Sequence, residues 1–364
     1  MKNIKEDKKT INDINILDED LKYIHANLDK KNFYKNKSIL ITGYLGFIGF
    51  ELTNYLIKYF KNLGLKKLYL IDNKTNTKKI FDKNIHIIEK DITKVNLEIL
   101  FKKKKIDIII HAASIASPTF YRKHPIATIE SNIFGLNNIL KFARTNRVQR
   151  ILYFSSSEIY GNPDSKNIPT KENYNGNVSC IGPRACYDEA KRMGETLCYV
   201  YNKKYNIPIR IVRPFNNYGP GLSKFDKRLP ADIANNILKN KNVQLFSNGS
   251  PTRSFCYISD AVVGYLKVIA HKKFAIFNIG NDMEETSVKK LTQTYIQVAK
   301  KLFNYDKKII YSKNKEKDYL TNNPDRRSPN LVFARKEIKY NPKISIKEGV
   351  KRYLQFLKRE ISED

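Results

Sequence analysis

Lys37-Ser38-Ile39-Leu40-Ile41-Thr42-Gly43-Tyr44-Leu45-Gly46-Phe47-Ile48-Gly49 is the stretch from which the fold of this chain is read. Residues 38–42 form a short apolar run, suited to a buried strand. Three glycines follow at the spacing GxxGxxG, and then ELTNYLIKYF carries a helical pattern. Strand, glycine turn and helix together make a dinucleotide fingerprint. Gly43 permits the tight turn, Gly46 lets backbone N–H groups approach a pyrophosphate, and Gly49 lets the helix pack on the strand. Phe47 and Ile48 lie at the helix start, where the helix N-terminus favours phosphate charge. The next strand, Lys67 to Ile71, ends in Asp72. A carboxylate there hydrogen-bonds an adenosine ribose and repels a 2′-phosphate, which selects NAD over NADP.

Working outward, strands and helices keep alternating. Ile85 to Ile88 runs toward Asp91 and Ile92, placed to meet the adenine. Ile106 to Ile110 is a continuous apolar strand of the kind buried in a parallel sheet. It ends at His111-Ala112-Ala113, where Ala112 and Ala113 are small enough for a cofactor to lie close. Ile151 to Phe154 opens into Ser155-Ser156-Ser157-Glu158-Ile159-Tyr160-Gly161, and Ile209 to Val212 is a further strand. This order predicts an α/β fold: a doubly wound parallel Rossmann sheet, with ligands at the carboxyl ends of its strands. Beyond residue 213 the pattern changes to mixed short elements. The expected division is an N-terminal extension over 1–36, an NAD-binding domain over 37–212 with a return segment near 255–280, and a smaller α/β substrate domain over 213–364. Leu17, Leu21, Ile24 and Leu28 predict a short helix near 18–29, read as part of a surface arm.

The chain has 364 residues and a formal charge of +31. That charge invites a nucleic-acid reading. Lys outnumbers Arg and is scattered along the chain, so the charge reflects composition, and no nucleic-acid partner is expected. No apolar run approaches the ~20 residues of a membrane span, and the first residues have no apolar core of a signal peptide. The four cysteines form no CxxC pair and sit beside no His-rich segment. They are read as reduced thiols of a cytoplasmic protein, with no metal.

The chemistry is carried by Gly182-Pro183-Arg184-Ala185-Cys186-Tyr187-Asp188-Glu189-Ala190-Lys191-Arg192. Tyr187 and Lys191, four apart, share one helix face. An ammonium near a phenol favours the phenolate and should lower its pKa, making Tyr187 a general base for an alcohol. Two turns bear arginines suited to phosphate oxygens: Thr252-Arg253-Ser254 and Asp325-Arg326-Arg327.

In this order GYLGFIG, HAAS, SSSEIYG, YDEAK, RPFNNYGPG, TRSFCYISD and PDRRSP resemble the extended short-chain dehydrogenase/reductase family that modifies nucleotide sugars. IGPRACYDEAKR is most similar to the UDP-glucuronate decarboxylases. The resemblance implies that Gly43, Gly46, Gly49, Asp72 and Asp91 hold NAD. It makes Tyr187 the base, with Lys191 tuning it and binding the nicotinamide ribose, and has Ser156 bond the reacting hydroxyl. Glu158 stands where the decarboxylases carry a catalytic Glu. Ser117, Asn216, Arg253 and Arg327 fall at substrate positions. It further implies C4 oxidation of a nucleotide sugar, a place in polysaccharide biosynthesis, and a homodimer built on two helices per subunit. Ile133, Leu136, Ile139, Leu140, Met193, Leu197 and Val200 are the candidate dimer surface. A 4-epimerase is the main rival reaction. A 4,6-dehydratase would carry an Asp where Ser157 stands, and a plain C4 dehydrogenase is a further alternative. A nucleotide-sensing scaffold would have no need of Ser156, Tyr187 and Lys191.

Overall fold

The computed structural model describes residues 15–74, 82–312, 321 and 323–363. Helix α1 (Ile16–Asn27) comes first, its N-terminus capped by the side chain of Asn15. Strand β1 (Ser38–Thr42) then leads through the glycine turn into α2 (Phe47–Lys58). Next come β2 (Lys67–Asp72), β3 (Ile85–Glu89), the single turn α3 (Leu97–Leu100) and β4 (Ile108–His111). Helices α4 (Pro118–Lys123) and α5 (Pro125–Thr145) precede β5 (Arg150–Phe154). The long α6 (Ala185–Tyr205) precedes β6 (Ile209–Pro214).

The remainder is more broken. It comprises β7 (Asn217–Tyr218), α7 (Leu229–Leu238), β8 (Val243–Leu245), β9 (Thr252–Ser254) and β10 (Cys256–Tyr257). After these come α8 (Ile258–Ile269), β11 (Ala275–Ile279), β12 (Glu285–Ser287) and α9 (Val288–Phe303). Last are β13 (Ile309–Tyr311), β14 (Arg326–Arg327), α10 (Val332–Ile338) and α11 (Ile346–Glu363).

Among the described residues seven strands form one parallel sheet in the order β11-β6-β5-β4-β1-β2-β3. The winding reverses between β1 and β4, and there the carboxyl tips of the two strands part to leave a crevice. β1 and β4 are buried throughout and helices cover both sheet faces, as an all-parallel sheet requires. Ile39 and Ile41 face one core and Leu40 the other, the period-two alternation of a strand. A small sheet, β12-β9-β14, and the pairs β7–β10 and β8–β13 build the far wall of the crevice.

Helix α1 is not a surface arm. Leu21, Ile24 and Leu28 enter the larger core. The carboxylate of Asp20, fully buried, accepts from the Tyr257 hydroxyl at 2.6 Å and from Arg352 at 2.8 Å. Tyr23 donates to Asp260 at 2.5 Å. Side chains on β10, α8 and α11 therefore lock residues 16–27 onto the body. Residues 1–14 of the expected extension lie outside the described residues.

Leu136, Ile139 and Leu140 are also placed differently from expectation: all three are fully buried in the core behind the sheet. The large apolar side chains that α5 and α6 expose are Ile126, Ile129, Phe134, Met193, Tyr199, Val200 and Tyr205. Among the described residues no helix is long and apolar enough to cross a membrane.

Candidate active site

The crevice opens into a cleft of about 680 Å³. One end is the glycine turn. Gly43 has φ +75°, and a Cβ there would lie 2.6 Å from the Ala113 backbone. A Cβ on Gly49 would lie 2.0 Å from the Gly43 carbonyl oxygen. Gly46 differs: the nearest atom to a Cβ would be 3.3 Å away, and the residue borders the cleft with Phe47, Ile48 and Gly49. Gly43 and Gly49 are thus glycine for internal fit, and Gly46 leaves an open approach to the start of α2. Asp72 Oδ2 accepts from the Leu45 N–H at 3.1 Å, tying the tip of β2 to the turn. Burial pushes its carboxyl up, against the pull of backbone N–H groups. Ala112 borders the cleft, and Ala113 packs under Gly43. Asp91 uses its Oδ1 to cap its own turn, accepting from the N–H and hydroxyl of Thr93 at 2.8 and 2.7 Å, while Ile92 is buried against Gly135. A dinucleotide fits this half: an open backbone cradle at a helix N-terminus, an acid at the next strand tip and small residues on the neighbouring strand.

The other end holds the reactive groups. β5 delivers Ser155 and Ser156, and the Ser156 Oγ accepts the Glu158 N–H at 3.2 Å, turning the chain sharply. Helix α6 supplies Tyr187 and Lys191, both buried. Lys191 Nζ donates to the Phe154 carbonyl at 2.7 Å and lies 5.7 Å from the Tyr187 ring centre. The phenol stacks on Tyr121 of α4, with ring centres 5.1 Å apart and planes 8° apart.

The protonation states depart from the expectation of a lowered phenol. Burial pushes Tyr187 up to about 12, with hydrogen bonding to Ser156 working the other way. Burial also pushes Lys191 down to about 7. For the phenol, desolvation outweighs the interactions that favour the phenolate.

Glu158 is gripped on both oxygens: Arg184 binds Oε2 and Arg327 binds Oε1. Burial alone would raise its carboxyl, but Arg184, Arg327 and then Arg253 hold it down to about 2. Arg184 also pairs with Asp188 at 3.4 Å and lies 5.9 Å over the Tyr121 ring. Arg253 donates to the backbone carbonyls of Thr252 and Asp325, at 2.8 and 3.1 Å, and to that of Pro324. In this structure it therefore holds the loop that carries Arg327. Ser117, Asn216, Arg253 and Arg327 all border the cleft. Arg327 meets the Ser156–Glu158 turn, so it sits at the reactive end. Arg184 and the Asp226–Arg228 ion pair also border the cleft and were not singled out from sequence. Arg184 lay inside the quoted motif, three residues before Tyr187, which puts it one helical turn from the phenol.

Residues 39–280 match the NAD dependent epimerase/dehydratase family. The chain is 37% identical over 325 residues to UDP-glucuronic acid decarboxylase 6 of Arabidopsis thaliana, covering 88% of this chain and 89% of that one. It is 32% identical to UDP-glucuronic acid decarboxylase 1 of Xenopus tropicalis, covering 89% and 73%. In fold it is similar to the UDP-glucose 4-epimerase of Thermotoga maritima, with a TM-score of 0.77 at 23% identity over 89% of this chain and 99% of that one. It is also similar to the UDP-glucuronic acid 4-epimerase of Bacillus cereus, with a TM-score of 0.72 at 24% identity over 89% and 99%. The chain belongs to the NAD-dependent epimerase/dehydratase family. It is an enzyme, and NAD is its cofactor.

Proposed function

We propose that this enzyme oxidises a nucleotide sugar at C4 and decarboxylates it, with UDP-glucuronate as substrate. The observation that carries the reading is the Glu158 clamp. Beside the Ser156–Tyr187 pair, an ionised carboxylate and two guanidinium groups converge on the cleft. Guanidinium forks suit carboxylates and diphosphates. Relatives at 37% identity named UDP-glucuronic acid decarboxylase support the same choice.

When bound, NAD takes up and later returns the C4 hydride; Gly46, Phe47, Ile48, Gly49, Asp72 and Ala112 would hold it, with Lys191 at its nicotinamide ribose. The proton events fall to the protein. Tyr187 accepts the proton of the C4 hydroxyl as the phenolate, aligned by Ser156; the positive charge of bound oxidised NAD would favour that form over the value near 12 of the free site. The C4 ketone makes the sugar a β-keto acid. The bond from C5 to the carboxylate breaks, its electron pair moves to the C4 oxygen, and carbon dioxide leaves. Tyr187, protonated by then, and Ser156 donate hydrogen bonds to the enolate oxygen. A phenol held near 12 is suited to that second task. C5 then takes a proton from solvent, the hydride returns to C4 and Tyr187 gives its proton back to the C4 oxygen, so the cycle is redox-neutral. Glu158, ionised at every working pH, orients its two arginines and is not itself the acid.

A 4-epimerase is the second reading, because an epimerase of UDP-glucuronic acid shares the fold. Purified protein incubated with UDP-glucuronate, UDP-glucose and UDP-N-acetylglucosamine separates the two by mass: loss of carbon dioxide supports the proposal, and an isomer of unchanged mass replaces it with the epimerase. We further place the enzyme in the cytoplasm, which the four free cysteines favour. We assign it a homodimer across α5 and α6, whose exposed Ile126, Phe134, Met193 and Val200 supply an apolar face.

A further inference from the structure

Behind the cleft wall lies a carboxylate that the mechanism above does not use. Asp188 follows Tyr187 on α6, is buried, and does not border the cleft. Its Oδ2 pairs with Arg184 at 3.4 Å, and its Oδ1 is buried without a hydrogen-bond partner. Arg184 does border the cleft, and its other arm is on Glu158, whose second oxygen is held by Arg327. Asp188, Arg184, Glu158 and Arg327 therefore form one chain of alternating charge, and Arg253, whose own donors are spent on backbone carbonyls, acts on Glu158 from beyond it.

A sugar that brings its own carboxylate adds a third acid beside Glu158 and Asp188. It would compete with them for Arg184 and Arg327, the two guanidinium groups that hold acids here, and an uncompensated buried charge is costly. The cheapest relief is for one acid to take a proton. Glu158 is the wrong one, because an arginine sits on each of its oxygens. Asp188 has one partner, at the longest distance in the chain, and one idle oxygen.

Resting on the decarboxylase reading, we infer that Asp188 takes up a proton from solvent when a carboxylated sugar binds, so that the site accepts sugar acids by proton-coupled binding and neutral hexoses without it. Arg184, freed from Asp188, can then turn its fork to the substrate carboxylate. The surroundings agree. Burial and the charge of Glu158 push Asp188 up to about 7, against Arg184 and Arg327. The other ionisable groups that act on it are Tyr121 of α4 and Cys186 and Tyr187 of α6. The phenols carry pKa values raised by burial, as does the thiol, so none competes for a proton at neutral pH. One more anion nearby raises Asp188 further and carries it across the neutral range.

The test is calorimetry on the Tyr187→Phe holoenzyme, which binds substrate without turning it over. UDP-glucuronate and UDP-glucose are titrated near pH ~7.5 in two buffers of different ionisation heat. The expected result is uptake of about half a proton or more per site with UDP-glucuronate and none with UDP-glucose. Adding Asp188→Asn should abolish the uptake while UDP-glucuronate still binds. Uptake that persists in Asp188→Asn, or binding of UDP-glucuronate without uptake when Asp188 is present, overturns the inference and leaves the decarboxylase reading standing. Binding of UDP-glucose but not UDP-glucuronate overturns both. If Asp188→Asn does not fold, the pH dependence with Asp188 intact decides. Affinity for UDP-glucuronate relative to UDP-glucose should fall by up to about tenfold per pH unit above neutrality; a flat ratio overturns the inference.

Discussion

The two ends of the cleft are built on different physics. The cofactor end is steric: Gly43 and Gly49 are glycine because a Cβ would strike backbone at 2.6 and 2.0 Å, and the contacts involved lie within a few residues of one another or on adjacent strand tips. The reactive end is electrostatic. Its central group, Glu158, meets Arg184 from 26 residues away and Arg327 from 169. A steric constraint shows in the identity of a single residue. A charge cluster shows only once the chain has folded, and its members are ordinary polar residues until then. The reactive end should accordingly respond to charge and pH, and the cofactor end to volume.

The sharpest break is at the phenol. Tyr187→Phe keeps the volume and the Tyr121 stacking while removing the proton acceptor. C4 oxidation should fall ~10²–10⁴-fold, and NAD should still be released on denaturation, as measured by quantifying cofactor in the supernatant. Loss of NAD together with activity would show that the two ends are not separable.

Next is volume at the cofactor end. Gly49→Ala drives a methyl into the Gly43 carbonyl and should cost on the order of 1–3 kcal/mol, read as a lowered melting temperature with depleted NAD. The Gly46→Ala methyl would meet the Gly43 carbonyl oxygen at 3.3 Å, a tight contact that a shift of a few tenths of an ångström relieves. It should melt closer to the parent than Gly49→Ala does yet retain less NAD, because the added methyl lies beside the cleft approach. Equal melting points for the two variants would contradict the internal-fit account of Gly49.

Charge at the reactive end follows. Glu158→Gln keeps the shape and removes the anion that holds Arg184 and Arg327. For a decarboxylase the turnover of UDP-glucuronate should fall by roughly 10²-fold, the scale of a misplaced catalytic group, while its binding changes far less. A 4-epimerase would be nearly indifferent. Glu158 is held below its ordinary 4.5, at about 2. Its ionised form therefore contributes stability above pH ~4.5, lost as pH falls toward ~2. Acid unfolding of Glu158→Gln should begin from a lower plateau and be less steep in that window.

These contrasts explain what sequence alone revealed. The seven-stranded sheet was legible because continuous apolar runs such as Ile108–Ile110 and the glycine turn have few other uses. Ser156, Glu158, Tyr187, Lys191 and Arg327, which border the cleft, were legible too, in motifs at strand tips and on α6, whereas Arg184 and the Asp226–Arg228 pair were not. What escaped was anything set by burial depth. The phenol of Tyr187 is raised and not lowered, because its own burial outweighs the hydrogen bond with Ser156 that favours the phenolate. Leu136, Ile139 and Leu140 match a dimer stripe by spacing yet face the sheet, since α5 is apolar on more than one side. Helix α1 was recognised as a helix, but its docking depends on Asp20 meeting Tyr257 and Arg352, which lie 237 and 332 residues further along the chain.

The smallest expected effect lies at Asp72, where the two physical regimes meet. Its carboxylate has a structural task, accepting the Leu45 N–H at 3.1 Å and the Asn73 N–H at 2.9 Å, and a selective one, repelling a 2′-phosphate. Asp72→Ala would remove both, leaving a donor of the glycine turn without its partner, so a loss of NAD in that variant would not say which task mattered. Asp72→Asn separates them better: the amide oxygen can still accept the Leu45 N–H that ties the turn, while the charge and the second acceptor, toward Asn73, are lost. NAD affinity should then fall a few-fold at most. The preference for NAD over NADP should shrink by about tenfold, the worth of one charge contact of roughly 1.4 kcal/mol. Reconstitution of cofactor-stripped protein with each dinucleotide, followed by activity, reads both numbers. An unchanged preference in Asp72→Asn, with NAD weakened in Asp72→Ala, would make Asp72 a brace for the turn and would extend the steric account of the cofactor end to the residue that looked most electrostatic.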